Sequence, residues 1–273
     1  MKKILILILF LISSNIYSFE TLLFKPLTAN HLESRIGIFY QPSKQHLRLD
    51  IGHSLDLMEL KNNENCKLRA GGDFFILSRL RSEGKFKFPV ETSDFFFGLN
   101  LTGEIYNNYS FRIRVSHISS HLIDGYTTYN NIDKVASFIQ EPFVYSREFV
   151  DLIFAYKMKY FRPYLGGTTI FSTIPKNINK FVPQIGFDVE YHLFSNFDIV
   201  VGYDAKLINV YEDAFNKNSI SSISNSAQIG LKYKLSNNTG LSFNFYYYSG
   251  LSIHGMFYDI KENYIGYGIQ FSY

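Results

Sequence analysis

The chain ends in YIGYGIQFSY (264–273). Ile265, Tyr267, Ile269, Phe271 and Tyr273 fall on one face of an extended chain, and Gly266, Gly268, Gln270 and Ser272 on the other. Alternation with a period of two is the pattern of a β-strand with one apolar face and one small or polar face. Which medium the apolar face meets decides the fold, and that has to come from the rest of the chain.

The N-terminus reads MKKILILILFLISSNIYSFE. Lys2 and Lys3 precede an apolar run from Ile4 to Ile12, and Ser13, Ser14 and Ser18 follow. This order is that of a secretory signal peptide, with cleavage expected after Ser18 and residues 19–273 as the mature domain. The run is too short for a spanning helix, which needs about 20 apolar residues. A strand that stops on Tyr273 resembles the final strand of bacterial outer-membrane proteins. That resemblance implies the barrel assembly machinery as a partner and the bacterial outer membrane as the destination.

Phe and Tyr make up 18% of the chain, with 27 Phe, 21 Tyr and no Trp, yet mean hydropathy is only −0.05. No later apolar run approaches spanning length, so a helical membrane protein is excluded. A transmembrane barrel needs such a composition, because its outer wall is apolar and aromatic while its inner wall is polar. Cys66 is the only cysteine, which excludes an intramolecular disulfide and a cysteine-based metal site. There are 27 basic and 24 acidic residues, and Lys2 and Lys3 belong to the export segment. The near balance gives no reason to expect nucleic acid.

Alternation recurs along the chain. It is weak in RIGIFYQ (35–41) and clear in HLRLDIGHSLDL (46–57), DFFFGLNLTGE (94–104) and YSFRIRVS (109–116). Together with 69–78, 148–157, 160–171, 182–193, 197–207, 226–235, 240–249 and the terminal segment it predicts twelve strands. The expected fold is all-β, a transmembrane antiparallel barrel of about 12 strands, an even number as bacterial barrels require. Short Asn- and Ser-rich links (IYNNY, MK, FSN, SNNT) alternate with longer ones at 79–93, 117–147, 172–181, 208–225 and 250–263. Short inner turns and long outer loops are the expected asymmetry. The link 58–68 is longer than a turn and has no account at this level. Arg112, Arg114, Asp188 and Glu190 fall on the inward face. Their mixed signs predict a salt-bridged, partly filled lumen. If the lumen were open, the same four would set the selectivity of a small-solute porin.

RVSHISSHLIDGY (114–126) carries the chemistry. In the register that turns Ile113 and Val115 outward, the next residues are His117, Ser119 and His121. On the following strand Glu148 shares the outward face with Val150, Leu152 and Phe154. A histidine, a serine and a carboxylate thus converge near the outer-leaflet boundary. Neutral His117 can take the proton of Ser119, and Glu148 can fix the imidazole tautomer. His121 and Asp124 could stand in for His117 and Glu148. A bland reading remains open, in which these are interfacial side chains bonded to lipopolysaccharide or loop backbone.

The His-x-Ser pair on an outward barrel wall resembles outer-membrane phospholipase A and the lipid A deacylases. The resemblance covers His117, Ser119 and Glu148 and implies an acyl-ester hydrolase acting on outer-membrane lipid. It departs at Ser120-His121, and no calcium ligands map onto this sequence. LFKPLTANHLESR (23–35), FPVETSDFFFGLNL (88–101) and the Ser-His-x-Ser-Ser-His-Leu stretch resemble a further family of bacterial outer-membrane barrels. That likeness implies fold and location and carries no activity.

Overall fold

The computed structural model describes residues 19, 21–130, 135–211, 219–236 and 239–272. The expected export segment 1–18 and the terminal Tyr273 lie outside the described residues. Fourteen strands are described. The first half holds β1 (Ile36–Gln41), β2 (His46–Asn63), β3 (Cys66–Arg81), β4 (Val90–Ile105), β5 (Tyr109–Leu122), β6 (Thr127–Asn130) and β7 (Val135–Phe138). The second half holds β8 (Tyr145–Tyr156), β9 (Phe161–Ile174), β10 (Phe181–Phe194), β11 (Phe197–Tyr211), β12 (Ser219–Lys234), β13 (Gly240–Leu251) and β14 (Lys261–Ser272). β6 and β7 form a separate two-stranded sheet within the loop between β5 and β8. The other twelve close a barrel in which each strand pairs with its neighbours in sequence order, and β1 pairs with β14 from Ile36↔Phe271 to Tyr40↔Tyr267. The terminal alternation is thus the seam strand, and closure leaves no unpaired edge.

The barrel is twelve-stranded, antiparallel and all-β, as the alternation requires, but its strands run longer than their apolar cores. β2 has 18 residues and joins β3 through Glu64 and Asn65 alone, which explains the link 58–68. Bulges between Asp56 and Met58 and between Glu59 and Lys61 break the strict period there, and this hid the strand from a periodicity reading. The remaining connections at that end, 106–108, 157–160, 195–196 and 235–239, are short, and the opposite end carries the longer 82–89, 123–144 and 252–260.

The outward face is apolar over most of its area. Leu99, Ile265 and Ile185 are 74%, 65% and 62% exposed. At the short-turn end the pairs Tyr109–Tyr156, Tyr160–Tyr191 and Phe197–Tyr233 place aromatic rings in contact around the rim. An apolar wall edged by aromatics is stable against hydrocarbon and costly against water. No helix among the described residues is long and apolar enough to cross a membrane.

The lumen is partly filled, first by the segment that precedes β1, and a cavity of about 600 Å³ remains at the short-turn end. Glu33 receives both guanidinium nitrogens of Arg112, at 2.7 and 2.5 Å, and Asp151 accepts from Arg114 at 2.7 Å. Arg114 also donates to the Leu32 carbonyl at 3.0 Å. Lower in the segment, the Thr28 and Leu23 amides donate to Asp188 and Asp56. The arginines beside Glu33 hold its carboxyl at about 2, against the desolvation that would raise it. Gly202 lets this segment lie flat on the wall, since a Cβ there would come within 2.7 Å of Thr28 and 2.9 Å of the Ala29 amide. The loop end is sealed by an apolar cluster that includes Phe75, Phe96, Phe149, Met256 and Phe257, with Phe75 and Phe96 stacked at 4.1 Å.

Candidate functional site

β5 divides its side chains between two media. Arg112, Arg114, Ser116, Ile118 and Ser120 are buried inward, while Val115, His117, Ser119 and His121 look outward. β5 and β8 pair in the register that sets His117 opposite Glu148 and Ser119 opposite Ser146. His117 Nδ1 lies 2.9 Å from Glu148 Oε1, so the two residues singled out in the sequence do meet. The Ser146 hydroxyl donates to the same oxygen at 2.9 Å, and Ser172 of β9 adds a further hydrogen bond to Glu148. The carboxylate is therefore fixed from three sides. Ser146 and Ser172 escaped the sequence reading, though the outward parity of Ser146 beside Glu148 was available to it.

Ser119 faces the same way as His117, two residues along the strand, or about 7 Å between Cα atoms. No hydrogen bond joins it to His117, and unlike Ser146 and Ser172 it is not spent on Glu148. His117 meets Glu148 through Nδ1, which leaves Nε2 free. That is the arrangement of a catalytic imidazole, in which the carboxylate takes Nδ1–H and the nucleophile lies at Nε2. His121 packs against the Phe95 ring at 5.8 Å between centroids. Asp124 lies in the short 3-10 turn Asp124–Tyr126. Neither is bonded to Ser119 or His117.

The pair has an apolar approach. On the outward face a cavity of about 670 Å³ runs beside His117 and Glu148, bounded by Leu55, Phe74, Phe97, Leu99, Val115 and Phe171. Its floor is low because Gly72 stands between Leu55 and Leu99 in the cross-strand row. From Tyr109 at the aromatic rim to His117 the strand climbs roughly 20 Å along a tilted barrel axis, against an apolar band about 25 Å tall. The pair thus sits near the far margin of the band, where a lipid ester would lie. Glu148 is the only carboxylate on the outward faces of β5 and β8. Among the described residues no group of three or more His, Cys, Asp and Glu side chains is placed to hold a metal ion.

Ser120, the inward neighbour of Ser119, has a different job, which it shares with Asp94 of β4. Asp94 accepts from His254 Nδ1 at 2.6 Å and from the Gly255 amide at 2.8 Å, and the Ser120 hydroxyl accepts from the Met256 amide at 3.1 Å. They latch the loop 252–260 over the barrel mouth. Gly255 is required there, since a Cβ would meet the Tyr145 ring at 2.3 Å. Of the four inward charges read from the sequence, Arg112 and Arg114 are locked to the plug, Asp188 pairs with Arg162 at 2.6 Å and Glu190 with Lys232 at 2.8 Å.

Residues 84–273 match the family described as "Protein of unknown function (DUF1207)", and the chain belongs to it. No curated protein matches the chain in sequence. Among solved structures it is similar to outer membrane phospholipase A from Escherichia coli, at 13% identity and a TM-score of 0.51, covering 90% of this chain and 92% of that one. The calcium-bound dimer of the Salmonella typhi outer membrane phospholipase gives 11% identity and a TM-score of 0.52, with coverage of 90% and 92%. The β domain of the Bordetella autotransporter BrkA gives 9% and 0.45, with coverage of 87% and 95%. At these identities the likeness to the two phospholipases shows the fold alone, that of outer-membrane β-barrels.

Proposed function

We propose that this member of the family sits in a bacterial outer membrane and hydrolyses acyl esters of outer-leaflet lipid, phospholipid or the lipid A part of lipopolysaccharide. The observation that carries the reading is the 2.9 Å contact between His117 Nδ1 and Glu148 Oε1 on the apolar outward wall, with Nε2 open and Ser119 on the same face. A hydrogen-bonded ionisable pair facing lipid is expensive to maintain, and such groups are as a rule functional. In the proposed reaction Ser119 Oγ attacks the ester carbonyl while His117 Nε2 takes its proton. Collapse of the tetrahedral intermediate expels the alkoxide, which recovers that proton from the imidazolium. Water then cleaves the acyl-serine with the same base and releases the fatty acid. Glu148 holds the tautomer and stabilises the imidazolium. The acyl chain lies in the groove past Gly72, Leu99 and Val115.

The plug bound to Arg112 and the apolar cluster at the loop end speak against a small-solute pore, so a planar bilayer carrying the protein is expected to stay silent. Recognition of Tyr273 by the assembly machinery belongs to the same proposal of location. The test is fatty-acid release from phospholipid and from lipid A by purified, refolded protein, with loss in both Ser119→Ala and His117→Ala. Activity that survives both substitutions would overturn the assignment, as would no release from either lipid by a correctly folded barrel.

A further inference from the structure

A second cavity lies inside the barrel, between the tip of the plug and the outer loops. It measures about 90 Å³ and is lined by His31 and Leu32 from the plug, by Arg147 and Lys206 from the wall, and by aliphatic side chains such as Val182 and Leu251. Three observations make it more than a packing defect. Eight of the nine arginines, all among the described residues, form an ion pair with a carboxylate, and Arg147 is the exception. Its guanidinium lies 5.8 Å from the Tyr145 ring and 5.7 Å from the Phe149 ring, and its Nε is buried with no hydrogen-bond partner. Arg147 as a whole is half-buried, and even a partly desolvated cation is costlier without a carboxylate than with one.

The second observation is His31. Arg48 donates to its Nδ1 at 3.1 Å, which places the ring proton on Nε2. Nε2 is buried and makes no hydrogen bond. Burial, with Arg48, Arg35 and Lys206 nearby, holds the His31 pKa well below the ordinary histidine value, so the ring is a neutral donor. The third is the charge balance. Asp204 is the only carboxylate of the lining, and it already receives Tyr164 at 2.9 Å and Gln184 at 2.5 Å, with Lys206 3.9 Å away. Two cations and one unspent donor therefore surround a space that holds no free negative charge among the described residues.

We propose that this cavity binds a small organic monocarboxylate, its oxygens on the Arg147 guanidinium and its short apolar tail against Val182, Val210 and Leu251. A planar guanidinium matches a carboxylate with two parallel hydrogen bonds. The half-apolar wall disfavours a fully hydrophilic anion such as phosphate. At about 30 Å³ per water the space equals roughly three waters, which suits a chain of a few carbons. Ile178 and Tyr258 of the outer loops line the same cavity, so the ligand would arrive from that side. The site is independent of the outward pair, being on the other face of the wall.

The experiment is saturation-transfer NMR on the full chain refolded in detergent, titrated with sodium butyrate, acetate and inorganic phosphate at constant ionic strength. Butyrate is expected to bind, to bind tighter than acetate, and to weaken about tenfold or more in Arg147→Met, the loss of charge-assisted hydrogen bonds. Arg147→Lys, which keeps the charge and loses the fork, should also weaken it and serves if the methionine variant does not fold. Ser119→Ala should bind butyrate as the native chain does. No transfer to butyrate, native affinity in both Arg147 variants, or displacement of butyrate by equimolar phosphate would each overturn the proposal.

Discussion

Two clusters of charge share strand β5, five residues apart at most, and they are built on opposite principles. Inside, Arg112 meets Glu33 through a forked contact and Arg114 meets Asp151 through a single one, both almost fully buried, with Arg112 and Glu33 only 3% and 0% exposed. Glu33 is held by Arg112 and by the Asn30 side-chain amide, and Arg114 by Asp151 and the Leu32 carbonyl. Outside, His117 and Glu148 are 41% and 31% exposed, and although the carboxylate is triply bonded, the imidazole keeps one nitrogen unspent. Redundant pairing makes a cluster structural, because removing one member strands the others. An open valence beside a free hydroxyl makes a cluster chemical. The difference is visible in the hydrogen bonds and not in the residue types.

The largest expected effect breaks the inner cluster. Glu33→Ala leaves the buried Arg112 guanidinium without its carboxylate and should cost about 3–5 kcal/mol in a urea unfolding experiment. The acid sensitivity has the same origin. The folded pKa of Glu33 lies below its ordinary value, at about 2 against 4.5, so its contribution is complete above pH 4.5 and is lost as pH falls towards 2. A pH series of unfolding midpoints should drop over that window in the native chain, and by less in Glu33→Gln. An unchanged profile in the variant would place the acid sensitivity elsewhere.

The outer cluster should respond in the reverse sense. Glu148→Gln is expected to lower fatty-acid release about a hundredfold or more, since the amide cannot stabilise the imidazolium, while the unfolding midpoint moves little. A large loss of stability with unchanged turnover per folded molecule would invert the comparison. Next in size is the latch. Ser120→Ala removes the acceptor of the Met256 amide and should cost about 1–3 kcal/mol, read as faster hydrogen exchange in 252–260. The smallest effect sharpens the outer reading. Gly72→Leu fills the groove beside Leu99 and should raise KM severalfold with kcat nearly unchanged, because it touches only the acyl chain.

The barrel was legible because a period of two survives in nearly every strand, and the seam was legible because YIGYGIQFSY keeps that period to its end. His117 and Glu148 were legible for the same reason, since parity alone turns both outward and chain order makes their strands neighbours. The plug was not. LFKPLTANHLESR has no period, so nothing local says where its side chains go, although two inward arginines on one strand with no inward acid on β4 at their level asked for a partner. The latch was less legible still. Asp94, Ser120 and His254 belong to three distant stretches, and Ser120 lies in the very motif whose outward members drew attention. Arg147 was passed over because its anomaly is the absence of a partner, which only three dimensions can show.

The plug also has a mechanical side. Its anchors follow one another along the chain: Leu23 on Asp56, Thr28 on Asp188, then Glu33 on Arg112 three residues before β1 begins. A force applied at residue 19 would reach them in that order and load each alone, as in unzipping and not in shear. The rupture trace would be a series of small steps, with the tallest last, where the forked Glu33–Arg112 contact gives way. The barrel wall would bear no load until then.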